Sequence, residues 1–270
     1  MNKKILAISC IVSGLLLYGC PPQKTTISSE QGDCGVSDVA VDVNDQMMNI
    51  SWVNNCNKTI AGYNIYISES KNSDAKPYND VPFDGDTNPE DGVENFQAEH
   101  LENGKKYYVS VGIVNPDQTE SKRSTEIVAV CGPRVEIELA VRYKSDNDGY
   151  SFDSNKYVRA DNDLNDLYFF SKDGVDYLSS PNNLDGFLRV NKFEKLRFQG
   201  DFHDLRNQIS KYYKLAVKNK IVVTQGDWVI MTTFEKTHAL IKILGFSGSG
   251  VERRIKLFVA YSPLANELIF

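Results

Sequence analysis

The sequence predicts a mainly β protein built from two antiparallel β domains, the second of which also contains one short helix. From Val36 onwards, apolar and polar residues alternate in short runs separated by turn residues, which is typical of antiparallel sheets. The dipeptide Gly132-Pro133 divides these runs into two sets, and helical spacing distinguishes the segment from Asp201 to Lys214. We therefore expect one domain over residues 34–133 and a second over residues 134–270.

An export signal opens the sequence. Two lysines precede an apolar run from Ile5 to Tyr18, and this run is shorter than the about 20 residues that a membrane-spanning helix needs. It ends in Leu17-Tyr18-Gly19-Cys20, which resembles the lipobox of bacterial lipoproteins, although Tyr18 is bulkier than the usual residue at that place. The resemblance implies a signal peptide over residues 1–19, cleavage before Cys20 and acylation of that cysteine. The alternative is an ordinary secretory signal that contains a cysteine there by chance.

Residues 20–33 form the predicted lipidated tether between the membrane and the folded domains. The residues after Cys20, PPQKTTISSEQGD, are polar and show no apolar period, as in a flexible linker. Two or three acyl chains hold a protein firmly, because each buried methylene contributes about 0.8 kcal/mol. We therefore expect a protein of the cell envelope that is lipid-anchored to a membrane, at the outer membrane or the cell surface if the bacterium is diderm.

The composition argues against several classes of partner. The chain has 30 basic and 36 acidic side chains, a net charge of -6, and no Lys/Arg cluster along its sequence. This balance argues against nucleic acid and against adsorption to anionic lipid. No phosphate loop, dinucleotide fingerprint or zinc-ligand spacing is present in the sequence. We expect no cofactor.

The first domain contains the following predicted strands: Val39–Val43, Met48–Val53, Ala61–Ile67, Leu101–Val111 and Thr125–Val130. Trp52 ends the second of them, the third contains Gly-Tyr-x-Ile-Tyr from Gly62, and Leu101 is followed six positions later by Tyr107. These features resemble a fibronectin type III domain over residues 36–133. The resemblance implies a β-sandwich in which the Tyr107 hydroxyl bonds back to the backbone at a corner between the two sheets.

The same resemblance implies one disulfide. Cys10 leaves with the signal peptide and Cys20 is acylated, so Cys34, Cys56 and Cys131 remain in an oxidising compartment. In a fibronectin-like sandwich the first two lie at one pole and Cys131 lies at the other. We expect a disulfide between Cys34 and Cys56, which closes a loop of about twenty residues and contributes about 3 kcal/mol.

The loop from Lys71 to Asn95 departs from the family pattern, because it is long and rich in Asp, Pro and Gly. No fourth strand is evident in it. Its acidic run from Asp84 to Gly92 suggests calcium, but Pro89 replaces the glycine that an EF-hand loop requires and Asn95 replaces its bidentate glutamate. A solvated acidic turn is the favoured interpretation.

The second domain is predicted to open with a half-buried strand from Arg134 to Tyr143. A helix from Asp201 to Lys214 is expected, with Asp201 as its N-cap. The other predicted strands are Tyr150–Phe152, Asp166–Phe170, Lys220–Thr224, Trp228–Thr233, Ala239–Leu244 and Ile255–Tyr261. The run from Gly226 to Ile243 resembles C-terminal β domains of uncharacterised bacterial lipoproteins, and this resemblance implies no activity.

No catalytic constellation is recognisable, and we predict neither catalytic nor metal-binding residues. The histidines stand in separate predicted elements: His100, His203 and His238. The sequence from Gly245 to Gly250 has Ser249 in place of the last glycine of a nucleophile elbow, and a strand follows it instead of a helix. The turns at residues 146–149 and 161–163, with Asp166, could offer oxygens to a cation if they meet, but ordinary Asn/Asp turns are favoured.

Aromatic residues crowd the first half of the second domain. The candidate partner-binding side chains among them are Tyr150, Tyr157, Tyr168 and Tyr177. An exposed subset could stack on sugar rings or anchor a protein partner. Core filling is the alternative, and it is the default for aromatic residues in a small β core.

These observations together favour a membrane-anchored envelope lipoprotein that acts as a non-catalytic binding or scaffolding module. In this hypothesis the first domain is a spacer, and the second domain contacts a protein or a polysaccharide. The alternative is an accessory or catalytic protein of polysaccharide binding or degradation, because fibronectin-like modules often accompany such domains. A deep pocket with paired carboxylates in residues 134–270 would favour the alternative.

Overall fold

The computed structural model describes residues 34–86, 92–142, 146–212 and 216–270, and these residues are mainly β. Cys20 and the predicted tether lie outside the described residues. Within the described part, no helix is long and apolar enough to cross a membrane. The strand pairs of this part are antiparallel, as the alternating sequence pattern predicts.

The first domain is a sandwich of two three-stranded sheets, which confirms the predicted fold. Its described strands are β1 Val36–Asn44, β2 Met47–Asn54, β3 Gly62–Ser68, β4 Val93–Ala98, β5 Lys106–Val114 and β6 Ile127–Val130. One sheet has the order β1-β2-β4 and the other β3-β5-β6. Strand β4 corrects the sequence analysis, because the long loop does end in a strand. The register pairs Phe96 of β4 with Ile50 of β2, so the extension of the first sheet stabilises a segment that has little apolar alternation of its own.

Apolar side chains from both sheets fill the first core. Trp52 is fully buried against the ring of Tyr63 at a centroid distance of 5.0 Å. The backbone N–H of Glu102 donates to the Tyr107 hydroxyl oxygen at 2.9 Å. This bond is the tyrosine corner that the resemblance to a fibronectin type III domain implies, and it ties the loop before β5 to the core.

The cysteines are arranged as the sequence predicts. Cys34 and Cys56 form a disulfide with a Cα–Cα distance of 4.4 Å, across a sequence separation of 22 residues. Cys131 is a free, fully buried thiol. Burial raises the pKa of the Cys131 thiol to about 11, so this side chain behaves as an apolar core residue.

The second domain contains two five-stranded sheets. The first has the order β12-β14-β15-β16-β7 and the second β13-β11-β10-β8-β9. The bounds are β7 Arg134–Ala140, β8 Gly149–Ser151, β9 Lys156–Val158, β10 Leu167–Lys172, β11 Val175–Ser179, β12 Lys192–Leu196, β13 Lys220–Val222, β14 Trp228–Thr232, β15 His238–Ser247 and β16 Arg254–Ser262. We call the sheet that contains β10, β11 and β13 the outer sheet.

Three of these strands, β9, β11 and β12, are absent from the sequence prediction. They are short, and Lys, Asp or Glu residues interrupt their apolar pattern, as in Lys192–Leu196. Their pairing with longer neighbours stabilises them: β11 lies between β10 and β13, and β12 pairs with β14. Tertiary context therefore overrides their weak local preference.

The two sheets enclose one core, and a helix covers the far side of the first sheet. Phe169, Phe193 and Leu257 are among the fully buried side chains between the sheets. Helix α1 spans Phe202–Gln208, and the Asp201 carboxylate caps it by accepting from the backbone N–H of Asp204. A 3₁₀ turn at Ile209–Tyr212 continues the helix. This confirms the predicted helix and its cap.

The two domains contact each other directly. Arg206 of α1 pairs with Asp42 of β1 at 2.9 Å, and Lys106 of β5 pairs with Glu267 at 2.8 Å. Arg134, the first residue of β7, donates to the carbonyl of Tyr261 at 3.0 Å, and burial lowers the pKa of this guanidinium to about 10. The described part of the chain accordingly forms one compact unit.

Candidate functional site

The structure divides the four candidate tyrosines into two pairs. Tyr150 and Tyr168 are only 3% and 2% exposed, so the proposal that they contact a partner is corrected: they fill the core. Tyr157 is 47% exposed, although its hydroxyl already accepts from the backbone N–H of Glu138. Tyr177 is half-buried on the outward side of β11. Only the second pair offers surface to a partner.

Tyr177 belongs to a row of apolar side chains on the outward side of the outer sheet. It pairs with Phe170 of β10 on one side and with Val222 of β13 on the other. The rings of Phe170 and Tyr177 stack with their centroids 4.7 Å apart and their planes 6° apart. Val222 is 46% exposed, and Val175, two residues before Tyr177, is 36% exposed. We call the four residues Phe170, Val175, Tyr177 and Val222 the apolar face.

A basic cleft borders the apolar face. It has a volume of about 500 Å³, and β12, β13 and the residues beside them line it. Its cationic residues are Lys195, Arg197, Lys218 and Lys220, and its one carboxylate is Glu194. Because β12 and β13 are edge strands of the two sheets, the cleft lies along one open edge of the sandwich. Lys220 joins the two surfaces, since its Nζ lies 5.4 Å from the ring centroid of Tyr177.

This cleft removes one premise of the argument about partners that was drawn from the sequence. Lys195 and Lys218 are separated by 22 intervening residues, so no basic run is visible along the chain. An isolated bridge between Phe193 and Lys218 brings the two edge strands together. The cations therefore cluster in space, and the lack of a cluster in the sequence carries no argument against an anionic partner.

A buried polar network is a second feature that the sequence did not reveal. Asp166 is almost fully buried, and its carboxylate accepts from the backbone N–H of Phe152 at 2.7 Å and from Arg189 at 2.7 Å. Arg189 also contacts Glu235 at 2.8 Å. Burial raises the pKa of Asp166 to about 7, against the opposing effects of the Phe152 N–H and the Arg189 guanidinium. The nearby carboxylate of Asp153 accepts from the Tyr261 hydroxyl.

This network connects loops of the second domain, and its contacts are those of a structural network. Asp166 orients the turn that follows β8 by accepting from the Phe152 N–H, and Asn191 donates its side-chain N–H to the Asp166 carbonyl at 2.6 Å. Arg189 is held between two carboxylates. The Asp166 carboxylate, the Arg189 guanidinium and the Asn191 amide thus each have a structural partner, and within the described part of the chain Arg189 Nε is the atom of these three groups that is buried without one.

The turns considered for a cation use their carboxylates locally. The Asp148 carboxylate accepts from the backbone N–H of Ala160 at 2.6 Å, and Asp161 pairs with Arg159 at 2.8 Å. In the described ranges, no group of three or more His, Cys, Asp or Glu side chains converges as metal ligands would. Residues 87–91 of the acidic run lie outside these ranges, so the calcium alternative there stays untested.

The other motifs lie on separate elements. His100 and His203 belong to a loop of the first domain and to α1, and His238 starts β15, where burial lowers its pKa. The segment that resembles a nucleophile elbow leads from the end of β15 into a 3₁₀ turn at Gly250–Glu252. Its Ser249 precedes that turn with an extended backbone. The segment is the hairpin connection between β15 and β16, and a strand follows it as the sequence predicts.

Comparison with known proteins bears mainly on the first domain. The chain is similar to the twitchin kinase region from C. elegans at 12% identity and a TM-score of 0.30, over 84% of this chain and 39% of that chain. It therefore spans about two fifths of the length of that structure. No curated protein sequence matches the chain. The family model of the fibronectin type III domain matches residues 35–130. This segment is a fibronectin type III domain, and a second β domain follows it.

Proposed function

We propose that this protein is a lipid-anchored, non-catalytic binding module of a bacterial cell envelope. Acyl chains on Cys20 hold it to a membrane, and residues 21–33 connect the anchor to the folded part. The fibronectin type III domain acts as a spacer. The second domain contacts its partner through its apolar face.

The observation that carries the proposed binding role is the apolar face itself. Isolated exposed apolar side chains are ordinary on protein surfaces, but a contiguous group beside cations is typical of interaction sites. Here a stacked aromatic pair lies next to Val222, which is 46% exposed, and Val175, which is 36% exposed. Sheet pairing fixes the positions of all four side chains, so the surface is preformed.

The contacts between the domains support the spacer role. The ion pairs from Arg206 to Asp42 and from Lys106 to Glu267 connect the two domains at separate points. The buried guanidinium of Arg134 adds a bond to the carbonyl of Tyr261. A connection of this kind would keep the second domain at a fixed position on the first while the tether stays flexible.

The anchor is tested by growing cells with radiolabelled palmitate and following the protein through membrane fractionation. We expect label in the protein and its recovery with membranes, and we expect the Cys20→Ala variant to lose both. Cys10→Ala is the matched control, because it removes the leader's other cysteine outside the lipobox and should leave labelling unchanged. Unlabelled wild-type protein, or a Cys20→Ala variant that stays fully membrane-bound, would contradict the proposal.

A further inference from the structure

We infer that the apolar face and the basic cleft together dock on an anionic lipid surface, so that the second domain lies against the membrane. This inference rests on the proposed function for one point, the nearness of a membrane that the acyl anchor provides. It identifies the partner of the same surface as lipid headgroups. The two surfaces are contiguous, because Lys220 and Val222 of β13 border both.

The charge of the chain is distributed unevenly between its domains. Residues 34–133 contain 16 acidic and 7 basic side chains, whereas residues 134–270 contain 18 acidic and 20 basic side chains. The strongly acidic first domain is repelled by an anionic surface and the second domain is not. An anionic membrane surface would therefore orient the protein with its second domain towards the membrane.

The approach of two edge strands brings the cations of the basic cleft together. Lys195 belongs to β12 and Arg197 directly follows that strand, while Lys220 begins β13 and Lys218 forms the bridge to Phe193. All four side chains line the same cleft. Lys195 pairs with Asp227 at 2.6 Å and Lys218 pairs with Glu194 at 3.4 Å. Among the described residues, Arg197 and Lys220 have no carboxylate within ion-pair distance, so the positive charge of these two side chains is available to an external anion.

The apolar side chains beside these cations favour a membrane. Val217 precedes Lys218 and is 62% exposed, and Val222 follows Lys220 and is 46% exposed. The Lys220 side chain extends over Phe170 and Tyr177, with its Nζ 5.6 Å and 5.4 Å from the two ring centroids. Tyrosine, valine and a lysine that lies along apolar surface match the boundary between headgroups and acyl chains.

The same geometry disfavours a polysaccharide as the partner of the apolar face. A sugar ring stacks on an open aromatic face, but Phe170 and Tyr177 lie parallel, 4.7 Å apart, and cover each other. Val222 is the cross-strand neighbour of Tyr177 on the other side. The edges of the rings and the tyrosine hydroxyl remain for contact, which suits insertion between headgroups better than stacking on a sugar.

The test measures vesicle binding by the chain from Cys20 to Phe270 in its Cys20→Ala form, so that no acyl chain contributes. Sedimentation is compared between vesicles of equal parts phosphatidylglycerol and phosphatidylcholine and vesicles of phosphatidylcholine alone. We expect binding to the mixed vesicles only, and weaker binding at high salt. Each cation near an anionic surface contributes about fivefold to partitioning, so Lys218→Gln with Lys220→Gln should lower it about 25-fold.

Two further variants and one control separate a docking role from a loss of fold. Arg197→Gln breaks no ion pair described here and should lower partitioning about fivefold, and Val222→Thr should lower it while keeping a β-branched residue in β13. The control is Lys76→Gln with Lys122→Gln, which removes the same charge from exposed positions of the first domain and should change nothing. Circular dichroism should show the same β spectrum for every variant.

The inference is overturned if the protein does not bind the mixed vesicles or if salt does not weaken the binding. It is also overturned if the Lys76→Gln, Lys122→Gln control lowers binding as much as the Lys218→Gln, Lys220→Gln variant. Retention on immobilised dextran sulfate without vesicle binding would mean that the partner is an anionic polysaccharide and not lipid. Self-association of the cleft variant with unchanged vesicle binding would mean that the lysines only protect the edge strands. Palmitate labelling without vesicle binding defeats this inference alone, and vesicle binding without labelling defeats only the proposed anchor.

Discussion

Asp166 makes the protein less stable as the pH rises. Most carboxylates have the opposite effect, because folding usually lowers their pKa. Its carboxyl is almost fully buried, and burial raises its pKa from 3.8 to about 7 in the folded state. Between these two values the unfolded chain loses the proton that the folded chain keeps. The free energy of unfolding therefore falls by up to about 1.4 kcal/mol per pH unit from this group, or up to about 4 kcal/mol in total. The contribution is fully present below pH 3.8 and is lost as the pH rises to about 7.

Asp166→Asn removes this titration while preserving side-chain shape. Arg189 keeps its contact with Glu235 at 2.8 Å in the variant, so its charge is not left unpaired. We expect the stability difference between wild type and variant to shift by about 3 to 4 kcal/mol in favour of the variant between pH 4.5 and pH 8. Urea titrations followed by tryptophan fluorescence measure this difference at each pH.

Asp161→Asn is the matched control for this experiment. The Asp161 carboxylate is bonded to Arg159, which lowers its pKa below 3.8, so its titration ends before pH 4.5. Its stability difference from wild type should accordingly stay flat between pH 4.5 and pH 8. The reasoning about Asp166 is refuted if its own difference curve is equally flat, or if the variant loses stability relative to wild type as the pH rises.

Other predictions concern the first domain. Tyr107→Phe removes the bond to the Glu102 N–H and should lower the free energy of unfolding by about 1 kcal/mol in urea titrations, and an unchanged midpoint would contradict a structural tyrosine corner. Replacing Cys34 and Cys56 by serine should cost about 3 kcal/mol, and the oxidised wild type should lose a similar amount on reduction; no loss in either case would show that the disulfide adds nothing. Cys131 should react with iodoacetamide only after unfolding, because it is fully buried and its pKa is raised to about 11; rapid labelling of the native protein would contradict its burial.

The parts of the fold that the sequence predicts are those with strong local signals. Asp201 caps α1 because its short carboxylate reaches the N–H of Asp204, three residues on. Tyr107 lies six residues after Leu101, and the resemblance to a fibronectin type III domain that includes this spacing implies the corner. The pairing of Cys34 with Cys56 follows once the sandwich is assumed, because the fold brings both to one pole.

The rest of the fold depends on contacts between distant residues. Strand β4 has few apolar residues and forms because β2 offers an edge to it. Strand β11 pairs with β10 directly before it and with β13, which lies much later in the chain, and β12 pairs with β14, which also lies later. No local period indicates either strand. These strands form because of their sheet pairing, so the local sequence pattern does not predict them.

The candidate site was only partly predictable. Tyr177 was identified as an aromatic residue, but its stacking on Phe170 depends on the register between β10 and β11. Burial separates it from Tyr168, which occupies the same kind of alternating position. The basic cleft joins Lys195 to Lys218 through the approach of two edge strands, which only three-dimensional structure reveals.

Mass spectrometry of the N-terminal peptide from the purified cell-envelope protein tests the proposed anchor most directly. Our account predicts that the mature chain begins at Cys20, that this residue carries a diacylglycerol thioether, and that no peptide from residues 1–19 remains attached. A first peptide that retains the leader, or one that begins elsewhere with an unmodified Cys20, would contradict the claim that this is a lipid-anchored module.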